Sequence, residues 1–380
     1  MSSGKPLHAF WLFFPTAASW AAMVVPLSLY AVLSGSGWPP GLIDGGHGHE
    51  LIFGFALALI AGYTLGPQPW RILGPLFILW LAARVSWLLA PDTVTAQLLS
   101  PAFALLLAWH VVPRFQAAKK WRNKIAGPLI LVLCLLAVAF CLVQLGLPWP
   151  ERDRLMHVAI LGLLLLMTFM GGRIIAPAVA GTLEKRGIAL EARVQPRIEG
   201  ALLVLLILAM ALLLVTPFRD LTGSVLLVCA LLITLRVARW KLWHCRQRAD
   251  LLVLAFGYLW LGVGAALAAG HLLTSKELLP ALHVITIGAL GTLSCSVMLR
   301  LAWQRAHRTF PPNWQVWSVA GAMLVAVSAR YLAGGSPWSH PGLLWLAAGA
   351  WSLCYLGVCW QLLRLFRADR RRRVRSQASV

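Results

Sequence analysis

The chain has 380 residues, of which 60% are hydrophobic and only 12% charged, and its formal net charge at pH 7 is +21. Soluble folds carry about twice that charged fraction, and the apolar residues come in blocks of roughly 18–25, the length a helix needs to cross about 30 Å of hydrocarbon. The basic residues sit in short clusters between these blocks, where they act as topology signals, which excludes a nucleic-acid-binding role and points to an all-α fold, a polytopic transmembrane helical bundle of about twelve helices.

In chain order, spans are expected near 8–34, 48–66, 71–90, 94–113, 126–147, 154–179, 198–217, 221–239, 250–273, 278–300, 313–334 and 342–366. Short connections such as Pro91-Asp92 and Pro217 to Asp220 make their neighbours antiparallel hairpins. Alternate connections differ sharply in charge. One set holds Arg71, then Arg114 to Lys124, Lys185 to Arg197, Arg236 to Arg248, Arg300 to Arg308 and the terminal arginines; the other holds only Arg152, Arg154, Arg219 and Lys276. The positive-inside rule assigns the first set and both termini to the cytoplasm, an N-in/C-in topology. Residues 1–367 read as a single transmembrane domain. Residues 368–380 read as a basic cytoplasmic tail whose Arg370, Arg371, Arg372, Arg373 and Arg375 meet anionic headgroups of the lipid bilayer. The first apolar stretch is long and has no A-x-A-like site after it, so it reads as a retained span in a multi-pass protein. The seven cysteines form no CxxC pair and read as small buried apolar residues. No internal repeat is visible by eye.

Topology sorts the histidines. His47 and His49 open the second span, His157 opens the sixth, His271 closes the ninth and His283 opens the tenth, all on the side opposite the basic loops. One interfacial histidine simply hydrogen-bonds among headgroups. Five at one level suggest a cofactor, since imidazole is the commonest transition-metal ligand and the usual axial ligand of haem iron. His47 and His49 are two apart, so a regular helix points them to different sides. One metal takes both only if Gly45-Gly46-His47-Gly48-His49 is not helical.

Three arginines, Arg84, Arg173 and Arg330, fall within apolar blocks. Each costs about 2.5–3.5 kcal/mol near mid-helix and therefore needs a partner, a purpose or a route to the interface. Arg84 and Arg330 lie towards the histidine side, where they suit carboxylates such as haem propionates. Glu50, beside His49, is either a helix-start carboxylate favoured by the macrodipole or a group that orients a histidine or relays protons.

Three stretches carry a family resemblance. His47-Gly48-His49-Glu50-Leu51-Ile52-Phe53-Gly54-Phe55-Ala56, followed by Ala61-Gly62-Tyr63-Thr64, resembles the H-x-H-E-M-x-F-G-F-x-x-A signature of the NnrS family. Leu282-His283-Val284-Ile285-Thr286-Ile287-Gly288-Ala289-Leu290-Gly291-Thr292 is similar to the family's H-A-L-T-x-G-A-x-G-T-M stretch, and Gly171-Gly172-Arg173-Ile174-Ile175-Ala176-Pro177 to its G-G-R-x-I-P-F stretch. The resemblance implies a haem- and copper-containing protein of the bacterial inner membrane, linked to nitric oxide, nitrosative stress and denitrification, with no established reaction. It departs at Tyr63 to Arg71 and at Ala302 to Arg308, both on the expected cytoplasmic side.

The expectation is a haem-binding, and through the family copper-binding, membrane protein of nitric oxide response. His49 and His283 are the first choices as metal ligands, His47 the next, with His157 and His271 as further cofactor contacts and Arg84 and Arg330 on the propionates. The rival reading is a transporter whose histidines bind protons or a metal ion in transit.

Overall fold

The computed structural model describes residues 6–215 and 218–378, with side chains as far as Arg372 except that of Arg122. Arg373 and Arg375 of the expected headgroup-binding run therefore lie outside the described side chains.

The fold is helical, apart from two short antiparallel strands, β1 (Leu7–His8) and β2 (Pro67–Gln68). Bilayer interiors offer no water to backbone groups, so the chain satisfies them within helices. These are α1 (Phe10–Leu33), α2 (46–64), α3 (Trp70–Leu89), α4 (Val94–Gln116), α5 (Ala126–Gln144) and α6 (Arg152–Glu184). They continue as α7 (Pro196–Leu214), α8 (Arg219–Ala238), α9 (Ala249–Leu273), α10 (279–307), α11 (Asn313–Leu332) and α12 (Pro341–Ala378). Each of the twelve overlaps one expected span. Among the described residues, ten are long and apolar enough to cross a membrane. The other two are α2, divided by a π-helical segment, and α11, which carries Asn313, Gln315 and Arg330.

Several helices overrun their apolar segments. The sixth span was expected to end near 179, yet α6 continues to Glu184; the last was expected to end near 366, yet α12 runs on through the arginines to Ala378. Hydrocarbon thickness fixes the apolar length, whereas helical hydrogen bonding continues wherever the residues favour it. The boundary drawn at residue 367 is thus a change of composition within one helix.

Packing divides the chain into two compact units. The first holds the chain up to Met156, Leu301–Thr309 and the part from Ser352 onward; the second holds His157–Arg300 and Phe310–Trp351. In the first, α12 returns onto α1, where Ser352 donates to the Ala22 carbonyl at 2.7 Å and Trp11 meets Phe366 at 5.5 Å. In the second, α8 and α9 approach through small residues: a β-carbon on Gly223 would lie 3.2 Å from the Ala269 carbonyl, and one on Gly262 would lie 3.3 Å from Ile233. Without a hydrophobic drive between helices in lipid, such close approach supplies the dispersion energy of packing.

Both units contain a π-helical segment, and both segments begin immediately after a histidine. Glu50–Ala56 follows His49 in α2, and Val284–Gly291 follows His283 in α10. Each π turn inserts an extra residue and re-aims the side chains around it, which is why such segments gather at functional sites.

Candidate functional site

The first unit holds a buried polar cluster in the membrane-spanning region. A 3₁₀ turn, Pro40–Leu42, leads into α2 through Gly45, whose φ of 78° is left-handed and suits glycine. The turn is tight, since a β-carbon on Gly46 would fall 2.0 Å from the Gly41 carbonyl oxygen. The Trp87 indole N–H of α3 holds it by donating to that same carbonyl at 3.0 Å.

The stretch Gly46–His49 is helical, so His47 and His49 diverge. His47 is half-buried with Nδ1 3.3 Å from Ser28 Oγ of α1. His49 turns the other way, stacks on Trp87 with ring centroids 3.7 Å apart, and lies 5.0 Å from the Phe140 ring of α5. The non-helical arrangement that one shared metal required is not adopted, and the two histidines serve separate surroundings.

Glu50 Oε1 is the hub. It lies 3.0 Å from His49 Nδ1 and 2.7 Å from Arg84 Nη1, and both Glu50 and Arg84 are fully buried. Arg84 Nη2 donates to Ser100 Oγ of α4. Gly54 makes room for this arginine, since a β-carbon there would lie 2.6 Å from Nη1; the Gly54 carbonyl accepts from Trp80 Nε1 at 3.0 Å. Two atoms keep no partner among the described residues, Glu50 Oε2 and Arg84 Nε. The ion pair answers the cost of the intramembrane arginine with a carboxylate one residue from the histidine. It also orients the ring: a carboxylate on Nδ1 stabilises the tautomer with its proton there and leaves the lone pair on Nε2, the arrangement of metal-ligating histidines.

In the second unit, His283 is half-buried with Nδ1 2.9 Å from the Leu279 carbonyl of its own helix. An acceptor on Nδ1 again directs the lone pair to Nε2. His271 differs, because Nδ1 meets the Glu277 carbonyl and Nε2 lies 3.3 Å from the Tyr331 hydroxyl. Both of its ring nitrogens are engaged by protein, which suits a brace between α9 and α11 more than a ligand. His157 is half-buried on α6. Arg330, near the end of α11, is only 8% exposed and has a buried Nη1 without a partner.

Three features escaped the sequence reading. Arg236, counted among loop charges, is 2% exposed and binds Glu199 at 2.7 Å, the Tyr258 hydroxyl at 3.0 Å and the Thr168 carbonyl at 3.1 Å. The pair Gly171-Gly172 receives it: a β-carbon on Gly172 would lie 2.3 Å from Arg236 Nη2, and one on Gly171 would lie 2.8 Å from the Tyr258 ring. The glycine pair, rather than the Arg173 beside it, was the legible signal; the Arg173 guanidinium lies 5.0 Å over the Phe169 ring of its own helix. Ser100 and Trp87 completed the His49 site without any pattern to announce them.

The donor sets define what these residues can hold. Among the described residues no three or more of His, Cys, Asp and Glu converge as a metal site. A copper centre held by three or more such side chains therefore has no set among the described residues. Imidazole is one of the side chains that hold haem iron, and His49 and His283 each have Nδ1 against an acceptor, the orientation such a ligand would need.

No curated protein and no solved structure matches the chain. A family model described as NnrS protein matches residues 7–370. That match takes in both histidine-led π segments and the glycine pair beneath Arg236, and the chain belongs to the NnrS family of multi-pass membrane proteins.

Proposed function

We propose that this chain is a haem-binding protein of the bacterial inner membrane that contributes to nitric oxide response or nitrosative-stress tolerance. The observation that carries the reading is the like local setting of His49 and of His283, each within its own unit. Each is the last residue before a π-helical segment, and each has Nδ1 against an acceptor, the Glu50 carboxylate in one and the Leu279 carbonyl in the other. The link to nitric oxide comes from the family resemblance of these same two motifs.

A haem held by these histidines would supply nitric oxide binding or electron transfer. The chain's own residues would do three things. His49 and His283 would supply the imidazoles. Glu50, with Arg84 behind it, keeps His49 in one tautomer and raises the basicity of its ligating nitrogen. Trp87, Phe53 and Phe140 surround the His49 ring with apolar surface and keep water from it. No copper step is assigned.

The test is spectroscopic. The protein, purified in detergent after expression with ample haem, is expected to show a Soret band that shifts with reductant and with nitric oxide. His49→Ala and His283→Ala are each expected to alter it, and His47→Ala to leave it unchanged. Absence of a Soret band in wild type refutes haem binding; a wild-type spectrum in both His49→Ala and His283→Ala refutes the ligand assignment.

A further inference from the structure

The two units repeat one local design that is not visible in the sequence by eye. In each, a histidine precedes a π-helical segment, a glycine stands five residues after that histidine, and the next helix carries a buried arginine. The residues are His49, Gly54 and Arg84 in the first unit and His283, Gly288 and Arg330 in the second. Both glycines receive a large side chain, Arg84 on Gly54 and Trp260 on Gly288.

The designs differ in what packs on the glycine and in the residue that follows the histidine. Immediately after the histidine the first unit has Glu50, whose carboxylate neutralises Arg84 at 2.7 Å; the second unit has Val284, itself buried. Among the described residues Arg330 makes no ion pair and no hydrogen bond, although it is 8% exposed and its Nη1 is sealed from solvent. Glu277, the carboxylate in the loop between α9 and α10, is exposed and forms no ion pair among the described residues. Removing a guanidinium from water without an anion is strongly unfavourable, and a planar two-pronged donor matches a two-oxygen anion.

We propose that Arg330 is a binding site for an oxyanion group brought by a ligand. The group is either a carboxylate on a larger ligand, which for a haem propionate rests on the haem reading above, or a small free two-oxygen anion, which does not. Arg84, whose anion is built in, is a structural residue and takes no ligand carboxylate.

The experiment uses the full-length protein in detergent, as wild type, Arg330→Gln and Arg330→Lys. The probes are haem, haem dimethyl ester with both carboxylates blocked, and sodium formate and sodium nitrite against chloride at equal ionic strength. A ligand-borne carboxylate predicts that wild type binds haem roughly tenfold or more tightly than the diester, and that Arg330→Gln removes this preference. A free oxyanion predicts that formate or nitrite raises the melting temperature of haem-free wild type and leaves Arg330→Gln unmoved. If Arg330→Gln does not purify as a folded species, Arg330→Lys carries the comparison, with a partial loss expected because it keeps charge without the two-pronged geometry. Wild type that discriminates in neither arm, or variants that discriminate as wild type does, overturn the proposal. If haem binds to no form, the haem reading fails, and the formate and nitrite arm still decides Arg330.

Discussion

The Glu50–Arg84 pair offers the sharpest test of how the first unit is held together. Both side chains have no exposed surface, and the 2.7 Å contact joins α2 to α3. At an effective dielectric of about 20, opposite charges at that separation attract by roughly 6 kcal/mol. Much of this offsets the desolvation of both ions, so the pair contributes little net stability relative to well-packed apolar residues. Removing one partner is different, because the other charge is left buried. Arg84→Met is expected to destabilise the protein by about 3–5 kcal/mol. Glu50→Leu is expected to cost that and about 1 kcal/mol more, since His49 Nδ1 also loses its acceptor. The double variant Glu50→Leu with Arg84→Met is expected to be more stable than either single one, a coupling of several kcal/mol. Reversible unfolding in mixed micelles, followed by tryptophan fluorescence, reads this directly, because Trp87 stacks on the His49 ring and Trp80 donates to the carbonyl beside Arg84. Additive losses in the double variant would refute the reasoning, since they would mean that the two charges do not sense each other.

Two further predictions concern packing and topology. Gly172→Ala is expected to push Arg236 off Glu199 and Tyr258 and to cost about 1–3 kcal/mol, while Gly181→Ala on the same helix, with open space around it, is expected to be neutral or slightly stabilising; equal melting temperatures for the two variants would contradict the assignment. Reporter fusions at residue 120 and at residue 340 are expected to report opposite sides of the membrane, the first cytoplasmic, and signals from the same side would overturn the alternation of spans.

The twelve helical segments were legible because lipid imposes a one-dimensional rule. A spanning helix needs about 20 apolar residues whatever its neighbours are, and α1 through α12 each fall on one such block. The same rule misled where a helix carries polar residues. Arg236 read as a loop charge because it stands at the end of an apolar block, yet Glu199 draws it inside. Arg84 and Arg330 read alike from sequence, as intramembrane arginines on one side, and the structure separates them, the first neutralised and the second not.

The histidine motifs show where the sequence stops. Spacing stated that His47 and His49 diverge if helical, and only the fold decided that they are; the glycines around them serve a tight turn under Trp87. By itself the sequence determined the fold class, the spans and which side chains are available for chemistry, because these follow from apolar length, charge and residue type along the chain. Tertiary structure alone decided that Glu50 joins His49 to Arg84, that His271 is engaged at both nitrogens, and that a π segment follows each of His49 and His283. Those are contacts between helices, or departures from regular helix that neighbouring helices stabilise, and no periodicity within a single helix encodes which face meets which neighbour.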